Sequence, residues 1–179
     1  MILIINICKE RLHYYEFVRP IEDILNKNNI EFESYHSRQL TERIMNRAKK
    51  IIICGTSLKD NRFLSEVEKF RWIEKYDKPI LGICAGMQII GFIFGGKLKK
   101  DKEIGLEKVN FRKEFLSVKG ERDVYTLHGN SIEFGDDFEV FAKTKDCVQA
   151  VKHKYSEIYG VLFHPEVRNK IIIERFCKI

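Results

Sequence analysis

Short isoleucine-rich runs that end in turn-forming residues constrain this 179-residue chain more than any other feature. Ile2–Ile7, Lys50–Cys54 before Gly55, and Pro79–Ile83 are nearly continuous in apolar residues rather than alternating, the pattern of strands buried on both faces. Between them lie segments of helical length. Glu16–Asn28 places Phe17, Ile21, Ile24 and Leu25 at the spacing of a half-buried helix, and Phe63–Tyr76 does the same with Phe63, Leu64, Val67, Phe70, Ile73 and Tyr76. Strand alternating with helix predicts an α/β fold with a parallel sheet. After Gly95–Gly96 the pattern changes to strand-like stretches at Ile104–Phe111, Phe115–Val118, Asp123–Leu127, Phe138–Lys143, Val148–Val151 and Ile158–Leu162. These predict an antiparallel extension before a terminal helix, Val167–Lys178.

A chain of this length buries about 70% of its unfolded surface, enough for a self-sufficient core. With no repeat, linker or low-complexity tract, residues 1–179 read as a single domain. Every apolar run is interrupted well before bilayer length, and Met1 leads straight into Ile2–Ile7, so neither a membrane span nor a signal peptide is expected. The formal charge is +6. Its lysines alternate with acids, as over Glu66–Lys78, which argues against a nucleic-acid face. Five cysteines without a CxxC spacing suggest no disulfide framework and a reducing, cytoplasmic setting. Cys8, Cys54, Cys147 and Cys177 have no histidine at metal-ligand spacing in the sequence, so no metal is expected.

The segment Pro79-Ile80-Leu81-Gly82-Ile83-Cys84-Ala85-Gly86-Met87-Gln88 runs from a buried strand through GxCxG into an apolar helix, Ile89–Phe94. This is the pattern of a nucleophile elbow, in which two glycines allow a sharp strand-to-helix turn and the residue between them stands strained and exposed. The helix amino terminus facing Cys84 favours its thiolate. A thiol nucleophile needs a base and a group to orient that base. Val161-Leu162-Phe163-His164-Pro165-Glu166 supplies both directly after a strand, on the same carboxyl edge of the sheet. Pro165 fixes the backbone so that Glu166 can turn back to His164, select its tautomer and stabilise its cation.

GICAGMQ (82–88) and GVLFHPEV (160–167) resemble the corresponding segments of class I glutamine amidotransferases, and the resemblance covers essentially the whole chain. It implies a doubly wound, flavodoxin-like, mostly parallel sheet flanked by helices. It also implies a triad of Cys84 as nucleophile, His164 as general base and acid, and Glu166 as its partner. The thiolate would attack the side-chain amide of L-glutamine, ammonia would leave, and water would resolve the γ-glutamyl thioester. The oxyanion hole would combine the Ala85 N–H with that of Gly55. The family loop there commonly reads GGPxS, whereas this chain has Cys54-Gly55-Thr56-Ser57; without the family, Gly55 reads simply as a strand end. Gln88 occupies the position of a glutamine that lines the substrate pocket. Gly129 and Asn130, in Leu127-His128-Gly129-Asn130, match a loop that contacts substrate, and His128 would face the partner; alone it reads equally as a solvated loop histidine.

Residues 127–167 are most similar to amidotransferase subunits of GMP synthetases, which pass ammonia to adenylylated xanthosine monophosphate. Asn6-Ile7-Cys8-Lys9-Glu10-Arg11 and Asn130 depart from that pattern. No nucleotide-binding Ser-Gly-Gly-x-Asp-Ser segment or P-loop is present. The resemblance therefore implies a separate ATP-pyrophosphatase synthetase subunit, with ATP and magnesium belonging to it and no cofactor in this chain. Two other readings stand beside it: a γ-glutamyl hydrolase without a partner or an amidotransferase for another acceptor, and a regulatory binding module on the same scaffold.

Overall fold

The computed structural model describes residues 1–179. Its strands are β1 (Ile2–Asn6), β2 (Phe32–His36), β3 (Lys50–Ile53), β4 (Ile80–Ile83), β5 (Lys97–Lys99), β6 (Glu103–Phe115), β7 (Val118–His128), β8 (Ser131–Glu133), β9 (Phe138–Lys143), β10 (Val148–His153) and β11 (Ile158–Val161). The helices are α1 (Tyr14–Phe17), α2 (Arg19–Lys27), α3 (Glu42–Arg47), α4 (Arg62–Ser65), α5 (Ala85–Ile93) and α6 (Ile171–Phe176). A seven-stranded sheet has the order β2-β1-β3-β4-β11-β10-β9. Its first five strands are mutually parallel, and β10 and β9 add to β11 in antiparallel pairing. The mostly parallel α/β fold with antiparallel strands is thus as the sequence predicts.

Both faces of the sheet are covered, which is why the strands carry no polar alternation. Ile2, Ile4, Ile52 and Leu81 point to one side, where Val18, Ile21 and Leu25 around α2, Ile172 and Phe176 of α6, and Phe111 and Phe115 of β6 join them. Leu3, Ile5, Ile51 and Ile53 point to the other, against Phe63, Phe70 and Ile73 and against Met87, Ile89 and Ile90 of α5.

Several predicted elements change form. The helix expected over Glu16–Asn28 is two, α1 and α2, broken at Val18 just before Pro20, whose missing N–H cannot continue a ladder. Phe63–Tyr76 holds only one α-turn, α4, followed by a 3-10 helix at Val67–Lys75. The 3-residue period of Val67, Phe70 and Ile73, all buried, suits that geometry, because i and i+3 eclipse in it. Phe115–Val118 is no strand of its own: Phe115 and Val118 pair across a hairpin whose two loop residues, Leu116 and Ser117, have φ of 47° and 66°. Positive φ at both positions matches the twist of a two-residue hairpin. The hairpin β6–β7 stands as a separate two-stranded ladder instead of extending the main sheet, and β5 pairs with β8 in another. The terminal helix is only Ile171–Phe176.

Candidate functional site

β4 ends at Ile83 and α5 starts at Ala85, so Cys84 alone turns the chain. It does so at φ 49°, ψ −107°, a conformation costing about 1–3 kcal/mol that persists only where the surroundings enforce it. The Cys84 N–H donates to the Val161 carbonyl at 2.7 Å, and its own carbonyl accepts from the Gln88 N–H at 3.1 Å. Gly82 and Gly86 keep ordinary φ; the cysteine itself takes the strained angle, and the glycines are required for space. A Cβ at Gly82 would lie 2.6 Å from the Gly86 carbonyl oxygen, and one at Gly86 only 2.3 Å from the Ile53 oxygen. Bare backbones let α5 seat on β3 and β4.

β11 is the neighbour of β4, and three residues past its end the His164 N–H donates to the Tyr125 carbonyl at 2.8 Å. After Pro165 the chain returns Glu166 to the imidazole, with Oε1 2.7 Å from Nδ1. Both side chains are essentially sealed from solvent, and the Phe17 ring packs on the imidazole at a centroid distance of 5.4 Å. Burial pulls the imidazole down, but the Glu166 carboxylate and the nearby Cys84 sulfur outweigh it and hold His164 well above its ordinary value. His164 Nε2 is buried with no hydrogen-bond partner, while the thiol lies 3.7 Å from the Leu127 carbonyl as a donor. An orphaned ring nitrogen beside a thiol, with its other nitrogen fixed by a carboxylate, is an arrangement able to accept and return a proton.

Gly55 lies between the two groups. A Cβ there would stand 2.7 Å from His164 Cε1 and 3.2 Å from Cys84 Cβ, so only glycine fits. Ala85 opens α5, where its N–H has no acceptor within the helix. The loop that lacks the family proline is braced instead by Asp60, which sequence reasoning missed. One carboxylate oxygen accepts from Thr56 Oγ1 and the Lys9 N–H, each at 2.7 Å, and the other accepts from the Arg62 N–H at 3.2 Å. The Cys8 thiol lies 3.7 Å from the Gly55 carbonyl as a donor.

Gln88, Gly129 and Asn130 line the same cleft as Cys84 and Ala85, opposite Leu58, Asn61 and Phe63. Gln88 Nε2 donates to the Asn130 carbonyl at 2.9 Å, leaving its Oε1 buried without a partner. The Asn130 amide reaches across to Asn61 Oδ1 at 3.1 Å. The free volume within the cleft is about 20 Å³, room for about one water. His128 corrects the sequence expectation of a residue facing a partner. Its side chain is fully buried, with Nδ1 3.1 Å from the Asp101 carbonyl and Nε2 3.2 Å from Glu103 Oε2.

An α/β sheet with a cysteine at the elbow of one strand and a histidine–glutamate pair beyond the next defines a class, and residues 13–173 match the family model for class-I glutamine amidotransferases. The chain belongs to that family. Within it, the chain is 38% identical over 112 residues to a subunit of the glutamine-hydrolysing GMP synthase of Methanococcus vannielii, a match covering 56% of this chain and 59% of that one. It is 42% identical over 107 residues to the GMP synthase of Borreliella burgdorferi, covering 56% of this chain but 21% of that larger protein. The matches thus span less than two thirds of either relative. In fold the chain is similar to the crystal structure of a Thermoplasma acidophilum protein provisionally assigned as a GMP synthase subunit, with TM-score 0.87 and 24% identity over 99% of this chain and 92% of that one. A glutamine amidotransferase from Thermotoga maritima gives TM-score 0.73 at 22% identity, over 99% and 80%. No helix is long and apolar enough to cross a membrane.

Proposed function

We propose that the chain is the glutaminase subunit of a GMP synthetase, hydrolysing L-glutamine to glutamate and passing ammonia to a separate ATP-pyrophosphatase subunit that aminates xanthosine monophosphate. The observation that carries the reading is the strained Cys84 beside a buried His164 whose Nε2 lacks a partner and whose Nδ1 is held by Glu166. Names of the relatives supply the acceptor.

In this mechanism His164 Nε2 takes the Cys84 proton as the sulfur attacks the δ-carbon of glutamine, and the carbonyl oxygen becomes an oxyanion held by the Ala85 and Gly55 N–H groups. Collapse of the tetrahedral adduct breaks the C–N bond, and the imidazolium returns its proton to the leaving ammonia. The same imidazole then takes a proton from water, whose oxygen attacks the thioester; the C–S bond breaks, the thiol is restored, and glutamate leaves. Glu166 stabilises the imidazolium formed in both halves. Gln88, Gly129 and Asn130 bind the substrate's amino-acid end. This chemistry uses only the chain's own groups, and ATP and magnesium act on the partner.

The narrowness of the cleft, whose free volume holds about one water in this conformation, supports a dependence on the partner. Glutamate release is measured for the chain alone and with an ATP-pyrophosphatase subunit, ATP, magnesium and xanthosine monophosphate. The reading predicts low release alone, a large stimulation with the partner, and formation of GMP. Hydrolysis without GMP redirects the acceptor, and faster cleavage of γ-glutamyl amines than of glutamine favours the stand-alone hydrolase. Absence of hydrolysis in every state overturns the reading.

A further inference from the structure

Behind the cleft wall, β6, β7 and the turn before β10 bring together three side chains that lie far apart in sequence. Glu103, His128 and Cys147 each offer one ligand atom, and these atoms all lie within 4.8 Å of one another. Cys147 and His128 are buried, while Glu103 keeps 14% of its side chain exposed. The hydrogen bonds around the group leave a specific question of charge. His128 Nδ1 faces the backbone carbonyl of Asp101 at 3.1 Å, and Nε2 faces Glu103 Oε2 at 3.2 Å. Both neighbours are acceptors, and a neutral imidazole donates from one nitrogen only. With one proton shared between two nitrogens, either the Nδ1–carbonyl or the Nε2–carboxylate contact sets a lone pair against an acceptor, and a cation at that nitrogen relieves it. That cation is a proton or a metal.

We propose that Glu103, His128 and Cys147 form a binding site for a thiophilic divalent cation of the zinc class. The donors match zinc, which takes thiolate, imidazole and carboxylate together. Ligand atoms about 2.0–2.3 Å from a shared tetrahedral centre stand roughly 3.3–3.6 Å apart, close to the present 3.2 Å between Nε2 and Oε2. The surrounding bonds are those that orient metal ligands: a backbone carbonyl on the far nitrogen of the imidazole, and Thr144 Oγ1 at 2.6 Å and Gln149 Nε2 at 2.7 Å on the carboxylate. Gln149 is itself fully buried, and its Oε1 has no partner, an unused oxygen on a side chain already bonded to the cluster. The exposed edge of Glu103 gives the ion a way in. On binding, the Cys147 thiol loses its proton to solvent and the sulfur closes on the metal, tying the turn before β10 to the β6–β7 ladder beside Leu127, whose carbonyl meets Cys84.

The test is made on the full chain, stripped with a chelator and then titrated with Zn2+ and with Co2+. Metal is counted after desalting, and alkylation of each cysteine is mapped by mass spectrometry. The proposal predicts one equivalent of zinc retained per chain, a thiolate-to-cobalt charge-transfer band, and protection of Cys147 from alkylation. Retention and the band are lost in Cys147→Ser and weakened at least tenfold in Glu103→Gln, while Cys84→Ser retains both. Circular dichroism establishes that each variant is folded, and wild-type retention needs no variant at all. No retained zinc in the wild type overturns the proposal; so does zinc that survives Cys147→Ser or disappears in Cys84→Ser.

Discussion

The substitution Gly86→Ala isolates the packing that creates the elbow. A Cβ on residue 86 would lie 2.3 Å from the Ile53 carbonyl oxygen and 3.0 Å from the Ile53 carbonyl carbon, both backbone atoms at the carboxyl end of β3. Restoring an ordinary contact of about 3.4 Å needs a displacement of roughly 1 Å, and neither β3 nor α5 has a flexible side chain to yield. Overpacking of this kind costs about 1–3 kcal/mol, and alanine regains about 1 kcal/mol of helix propensity, so the net destabilisation is about 0–2 kcal/mol. For a chain of this length that is a fall in Tm of up to about 8 °C. Activity suffers far more. The displaced helix carries the Ala85 N–H and the carbonyl-side anchor of Cys84, and a 1 Å misplacement of reacting groups costs about 10²-fold in rate. Differential scanning fluorimetry and glutamate release with the partner subunit measure the two effects. Gly135→Ala is the control, because a Cβ there would meet nothing within 4 Å and the residue lies outside the cleft. Gly86→Ala with wild-type Tm and wild-type turnover would refute the claim that close approach of α5 sets the site.

Glu166→Gln removes the charge that raises His164, and glutaminase activity is expected to fall about 10²–10⁴-fold. Because folding raises the His164 pKa, the pair's contribution to stability is full below the unfolded value near 6.5 and is lost as pH rises through the folded value; the Tm gap between wild type and variant therefore narrows from acid to alkaline pH in thermal scans. Asp60→Ala strips the acceptor from Thr56, Lys9 and Arg62, which lowers stability by about 3 kcal/mol in urea titration and reduces glutamate release by loosening the Gly55 loop. Cys84→Ser abolishes glutamate release while leaving far-ultraviolet circular dichroism unchanged, the two side chains being close in volume.

The parallel strands and the elbow were readable because their signals are local. Isoleucine runs report burial on both faces, and Gly82-Ile83-Cys84-Ala85-Gly86 reports a turn that only small neighbours permit. β2 escaped because Phe-Glu-Ser-Tyr-His is a half-buried edge strand with no apolar run. Phe115–Val118 looked extended because its apolar residues were legible and its two positive φ values were not. At the site, Cys84, Gly55, His164 and Glu166 meet as the sequence implied, since strand ends in a parallel sheet converge on one edge. Asp60 was hidden because its work is done for backbone amides of residues 9 and 62, one of them 51 positions away. His128 was misplaced for a related reason: its partners, Asp101 and Glu103, reach it across the β6–β7 ladder, a pairing that no local motif announces.

The central claim is that the fold activates one thiol of five toward a glutamine side chain. It is tested most directly by treating the chain, with and without the synthetase subunit, with a chloroketone analogue of glutamine and mapping the adducts by mass spectrometry. The account predicts a single adduct on Cys84, prevented by excess glutamine and lost in His164→Ala. No adduct in either state, or one shared among Cys8, Cys54, Cys147 and Cys177, would contradict it.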